Sequence, residues 1–256
     1  MKIIDAHLHL YPKPILKKEF EISKEPINEY LITLSKKISE YRISKGLIYL
    51  IDSRVKFEYI ELPTNLLLSG TVNVKNPDLE SVLNNNIKLI KIYPYDHKLS
   101  KLDYSNVLNI AYIAQENNIA LTICSTYGSK LLYDINGVEL AAYIKKYIDV
   151  PIILAHGGGP KIFDAMTMAI EYDNIFLDLS FSLKYWYGSS VIQDYAFALK
   201  KLDCERIFYG SDYPYVDFKD SLWYFLNFIE KYNFTNKERD LILYKNFELF
   251  EETYLK

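Results

Sequence analysis

Short apolar runs alternate with longer amphipathic stretches along almost the whole chain. Eight runs read as strands: Lys2–His9, Gly46–Asp52, Leu66–Val74, Ile87–Tyr93, Ile119–Ser125, Pro151–His156, Asn174–Ser180 and Arg206–Ser211. They are apolar on both faces, as parallel strands covered by helices must be. Between them apolar residues recur at helical spacing. Ile27–Ile43 carries Leu31, Leu34, Ile38 and Tyr41, and Asp103–Asn118 opens on an Asp cap and carries Val107, Ile110, Ile113 and Ala114. Val138–Ile148, Lys161–Tyr172, Ser190–Leu202 and Phe218–Tyr232 read likewise, and a last helix, Asn236–Leu255, carries Leu241, Leu243, Phe247 and Phe250. Tyr11–Pro26 reads as a polar loop long enough to cover a barrel mouth, and Ser53–Thr64, with Pro63, as an irregular connection. No linker or repeat interrupts the alternation. Residues 1–256 therefore predict a single α/β domain, a (β/α)8 TIM barrel with an extra C-terminal helix, with a doubly wound sheet as the alternative.

Composition narrows the class without naming the chemistry. The chain has 256 residues, 50% hydrophobic and 25% charged, with a formal net charge of −3, so a full core is expected and a nucleic-acid surface is not. Two cysteines, Cys124 and Cys204, make no disulfide framework. Asp5, His7 and His9 interrupt the first apolar run, so it does not read as a secretory signal, and no apolar run is long enough to span a membrane. A cytoplasmic protein with reduced thiols is the expectation. Tyrosine is abundant, at 24 residues, and arginine scarce: Arg42, Arg54, Arg206 and Arg239.

In a parallel barrel, active sites form where strands end. Polar residues collect there: His7 and His9 on strand one, Lys91 and Tyr93 on strand four, Cys124-Ser125-Thr126 on strand five, His156-Gly157-Gly158-Gly159 on strand six, Asp178 and Ser180 on strand seven, and Ser211-Asp212 on strand eight. Three of the four histidines lie at strand ends, and His97 lies in the loop after strand four. Strict alternation puts Asp5, His7 and His9 on one face. A His-x-His pair can reach one divalent cation, and that reading outweighs the plainer one of two polar core or surface histidines.

Three segments resemble the signatures of the amidohydrolase superfamily: Ile3-Ile4-Asp5-Ala6-His7-Leu8-His9, Ile153-Leu154-Ala155-His156-Gly157-Gly158 and Ile207-Phe208-Tyr209-Gly210-Ser211-Asp212-Tyr213-Pro214. The branch they resemble is the amidohydrolase-related group that includes aminocarboxymuconate-semialdehyde decarboxylase. Ile90–Pro94, Asn174–Ser180 and Ile242–Phe250 echo the same group in the same order. The resemblance implies one divalent metal, most often zinc, with His7, His9 and Asp212 among its ligands and His156 and Asp212 as acid/base residues. A metal-bound water would then attack an electrophilic carbon.

At one position the chain departs from the pattern, with Cys124 where the family has a strand-five histidine. A thiolate there could complete a four-ligand site, or Cys124 could simply pack; a metal-free route, as in some lactonases of the branch, also stays open. Lys91 is read as binding an anionic group or forming an ion pair, and Tyr93 and Tyr127 as substrate-facing residues in an aromatic wall. Gly157-Gly158-Gly159 reads as a tight turn in preference to a backbone site for an anion. The expected activity is hydrolysis of a small ester, lactone or amide. The alternatives are non-oxidative decarboxylation of an unsaturated or aromatic acid, or a ligand-binding protein on a decayed barrel. The partner is a small-molecule substrate, with no nucleic acid or membrane. Aromatic-rich helices leave a homodimer open.

Overall fold

A computed structural model describes residues 1–10, 24–50, 57, 60–125, 130–131 and 134–256, the side chains of 24–26 excepted. Eight parallel strands stand in chain order, each paired with the next: β1 Ile3–His9, β2 Ile43–Tyr49, β3 Leu66–Thr71, β4 Leu89–Ile92, β5 Ala120–Cys124, β6 Ile152–Ala155, β7 Ile175–Asp178 and β8 Ile207–Phe208. Backbone bonds join the last strand to the first: Ala6 N–H donates to Tyr209 O (2.9 Å), Asp212 N–H to His7 O (2.9 Å) and His9 N–H to Tyr213 O (2.8 Å). A doubly wound sheet needs a reversal of strand order, and this order has none. The fold is the (β/α)8 barrel.

Most strands are trimmed by one to three residues at each end. β2 is displaced instead, beginning at Ile43. The helix before it spans Lys24–Glu40, not Ile27–Ile43, because Arg42, with φ +60°, turns the chain out of the helix and into the strand. Pro26 falls in the first turn of that helix, where its missing N–H costs nothing. Asp103 stands at the expected N-cap position, but its side chain makes no cap bond to the helix. Ser100 caps a short 3-10 turn at Lys101–Asp103, the Asp103 carboxylate accepts from Ser100 N (2.8 Å), and the helix proper is Tyr104–Glu116.

The core has two parts. One lies between strands and helices. The other fills the barrel, with Ile4, Leu47, Leu89, Ile153, Phe176 and Phe208, and is closed from below by Phe247 and Phe250 of the helix Asn246–Tyr254. Phe250 meets Phe176 edge-on at 4.8 Å between ring centres. The C-terminal helix is not continuous from Asn236 to Leu255: a π turn, Leu241–Lys245, separates Asn236–Asp240 from Asn246–Tyr254. There Ile242 O leaves the helical ladder to accept from Tyr209 N (2.9 Å) at the end of β8. Among the described residues no helix is long and apolar enough to cross a membrane.

Strict alternation fails in β1. Ala6 packs in the barrel interior with Ile4, whereas Leu8 and Leu10 pack outside, and the pairing with β2 is irregular between Asp5 and Leu8. Asp5 therefore does not continue the His7/His9 face. Its Oδ1 accepts from His7 N (3.1 Å) and Ser211 N (2.9 Å), pinning the β1 irregularity to the end of β8. That kink aims the two histidines.

Candidate active site

Both histidines of β1 turn toward Asp212. His9 Nε2 lies 3.0 Å and His7 Nε2 3.5 Å from the same Asp212 oxygen, Oδ1. Asp212, with φ +67°, sits just past β8 on the turn whose amide bonds back to His7 O. Burial and the neighbouring cations Lys91 and His156 push His7 well below its ordinary pKa, and burial drives His9 down to about 4. Burial works against ionised Asp212, but the His9 hydrogen bond and the charges of His156 and Lys91 outweigh it and lower its pKa.

A second layer fixes His7. Its Nδ1 faces the Asp178 carboxylate at the end of β7 and lies 2.9 Å from Ser180 Oγ. Asp178 accepts from Ser180 N (2.8 Å) and Ser180 Oγ (2.9 Å), and burial raises its pKa to about 6. With Nδ1–H committed to the carboxylate, Nε2 is the acceptor, and Lys91 Nζ donates to it at 2.7 Å. Lys91, on β4, is fully buried, its ammonium 4.3 Å from the Tyr49 ring centre and 4.8 Å from that of Tyr93.

His156 leaves β6 with φ +62°, followed by three glycines that also have positive φ. A Cβ on Gly157 would lie 2.8 Å from Tyr195 Cε1, so only glycine admits Tyr195, on the helix Val191–Lys201, this close; Tyr195 OH and Ser182 Oγ each donate to His156 O at 2.8 Å. His156 Nδ1 lies 3.0 Å from Ser180 O. Burial alone would lower its pKa; the hydrogen bond and charge of Cys124, helped by Asp212, raise it to about 9.

These groups meet at a cavity of about 400 Å³. His9, Lys91, Cys124, His156 and Asp212 form its polar wall, with Asp96; Tyr93, Tyr95, Phe181 and Tyr215 form the aromatic one. His7, His9 and Asp212 are the described residues whose ligand atoms all lie within 4.8 Å of one another. Cys124 stands outside that group, against His156. The donor set suits a divalent cation: two imidazoles that burial keeps neutral, one ionised carboxylate, and a carboxylate behind His7 that fixes its tautomer. Tyr127 lies outside the described residues. Tyr213 does not line the cavity but stacks on Phe218 at 4.4 Å, and Tyr185 and Tyr187 are exposed. Sequence reasoning gave no role to Ser180, which links His7, His156 and Asp178, or to Tyr49 and Phe181. Proximity to a strand end was their only signal.

A family model described as Amidohydrolase matches residues 4–246. None of the curated proteins compared matches the chain. Among solved structures, the chain is similar over its whole length, and over the whole of the other chain, to an uncharacterised TIM-barrel protein of Bordetella bronchiseptica (17% identity, TM-score 0.73). It is similar on the same terms to a probable 2-pyrone-4,6-dicarboxylic acid hydrolase of Acinetobacter baumannii (15%, TM-score 0.67). A 5-carboxyvanillate decarboxylase of Sphingomonas paucimobilis matches with 99% of each chain covered (12%, TM-score 0.60).

Proposed function

The chain belongs to the amidohydrolase family, and from that premise we propose that it is a hydrolase of a small ester, lactone or amide. The observation that carries the reading is the convergence of His7 Nε2 and His9 Nε2 on one Asp212 oxygen, at the wall of a cavity that His156 also lines. His7, His9 and Asp212 would hold one divalent metal, zinc by the nature of the donors, and that metal would supply Lewis acidity toward a carbonyl and acidify water.

The remaining chemistry belongs to the chain's own groups. Asp212, ionised and facing the cavity, accepts the proton of the attacking water. His156, protonated and held at Nδ1 by Ser180 O, delivers a proton to the departing oxygen or nitrogen. Tyr93, Tyr95, Phe181 and Tyr215 hold the ring or acyl group and keep bulk water from it.

A second reading has its own observation. Lys91 Nζ donates to His7 Nε2, so the ammonium can supply the positive charge without a metal. Decarboxylation, the activity named for the Sphingomonas protein, would use the same cavity and differs in its product.

The test is metal content of purified wild type and His9→Ala, followed by turnover of p-nitrophenyl acetate, γ-lactones and aryl carboxylates before and after chelation. About one metal per chain in wild type, lost in the variant, with acid released from ester or lactone, is the expected result. Hydrolysis undiminished by chelation favours the Lys91 route. Carbon dioxide release without hydrolysis overturns the hydrolase reading.

A further inference from the structure

We propose that Cys124 is a nucleophile, with His156 as its base, so that the substrate's acyl group passes onto Cys124 Sγ before water releases it. The proposal rests on the hydrolytic reading above and adds a covalent step to it.

Cys124 ends β5 and lines the cavity beside His156, whose side chain hydrogen-bonds it. His156 Nδ1 lies 3.0 Å from Ser180 O, and a carbonyl only accepts, so Nδ1 carries a hydrogen whatever the charge of the ring, and Nε2 is the position where the second proton is gained and given up. Nε2 is thus the nitrogen left for the thiol. Ser180 is itself fixed, its N–H and hydroxyl both on Asp178, and the His156 carbonyl is held by Tyr195 and Ser182. Nucleophile, base and orienting group therefore follow one another, with the base unable to rotate away. Lys91, on the adjacent strand, lines the same wall and offers positive charge to a developing oxyanion. The other thiol is a contrast: Cys204 is fully buried, its carbonyl bonded to Asn246 at 2.7 Å, and lines none of this cavity.

In the first half-reaction the thiol proton rests on His156 Nε2, which makes the protonated ring of the reading above, and the sulfur so freed attacks the carbonyl carbon. The S–C bond forms, the C–O bond to the leaving group breaks, and the leaving oxygen takes the proton from His156. In the second, water attacks the thioester carbon and gives its proton to Asp212. The C–S bond breaks, and sulfur regains a proton from that pool. The sum is ester plus water to acid plus alcohol.

Acid-quenched intact-mass measurement with p-nitrophenyl acetate tests the step. Wild type and Cys204→Ala should show one acetyl adduct, mapped to Cys124, and a burst of about one p-nitrophenol per chain; Cys124→Ala should lack both and lose about 100-fold in turnover. Turnover in Cys124→Ala within about threefold of wild type, with no adduct in wild type, overturns the covalent step and leaves the hydrolase reading standing. Iodoacetamide labelling needs no turnover: alkylation of Cys124 should fall about tenfold in His156→Gln. An unchanged rate overturns the pairing even if the esterase assay fails, whereas failure of the hydrolase reading shows as carbon dioxide release.

Discussion

Asp178→Asn isolates the group that sets the His7 tautomer. Asp178 Oδ1 accepts from Ser180 N at 2.8 Å, while Oδ2 faces His7 Nδ1 and accepts from Ser180 Oγ at 2.9 Å. An amide has one oxygen for these two positions. With the oxygen kept toward Ser180 N, the amide NH₂ meets His7 Nδ1, the ring proton moves to Nε2, and Nε2–H then points at the Lys91 ammonium 2.7 Å away. With the amide reversed, its NH₂ meets the Ser180 N–H instead. Either orientation leaves one buried donor facing another, a cost of about 1–3 kcal/mol. Loss of such a supporting carboxylate lowers metal affinity or activity by about 10–100-fold, equivalent to about 1.4–2.7 kcal/mol. Burial raises the Asp178 pKa to about 6, so at pH 8 the native group is the carboxylate and the comparison is clean. Nitrogen NMR of the histidine side chains reports the tautomer directly, alongside zinc affinity and kcat/KM. A variant whose His7 keeps its proton on Nδ1, with affinity and kcat/KM within about threefold of wild type, would refute the reasoning.

Three further perturbations probe the scaffold. Gly158→Ala places a methyl group at φ +84°, 2.7 Å from Ala165 Cβ and 3.2 Å from Val138 Cγ2, and should lower the free energy of unfolding by about 2–4 kcal/mol in urea titration; an unchanged midpoint would mean that the loop relaxes freely. Phe250→Ala opens the plug under Phe176 and Phe208 and should cost about 3–5 kcal/mol, a fall in Tm of about 6–20 °C, with zinc binding by the remaining folded protein unchanged. Glu238 caps the C-terminal helix, accepting from Thr235 N (2.6 Å) and Thr235 Oγ1 (2.7 Å), and these bonds hold its carboxyl below its ordinary value of 4.5. A depressed pKa gives stability that is present above that ordinary value and lost as pH falls through the lowered one. Glu238→Gln should therefore flatten the acid limb of a Tm–pH profile, by less than about 1 kcal/mol because the pair is exposed.

The sequence by itself determined the alternation of parallel strands and amphipathic helices, because burial on both faces leaves a pattern of β-branched and aliphatic runs that needs no tertiary knowledge to read. It also determined that His7, His9, His156 and Asp212 lie at strand ends, and a barrel carries all its strand ends on one rim. What it left open was decided by contacts between distant parts of the chain. The kink in β1 depends on Asp5 reaching Ser211, 206 residues away, and no local period encodes that bond. The π turn exists because Tyr209 takes the Ile242 carbonyl. Ser180 looked like an ordinary strand-end serine until the barrel closed and set it between two histidines and an aspartate. Cys124 shows the division most plainly. Its residue type and position were legible as chemistry at a strand end, but whether it faces the His7–His9–Asp212 cluster or His156 depends on side-chain directions across β4, β5 and β6. Only the closed barrel fixes those, and it sets the thiol against His156.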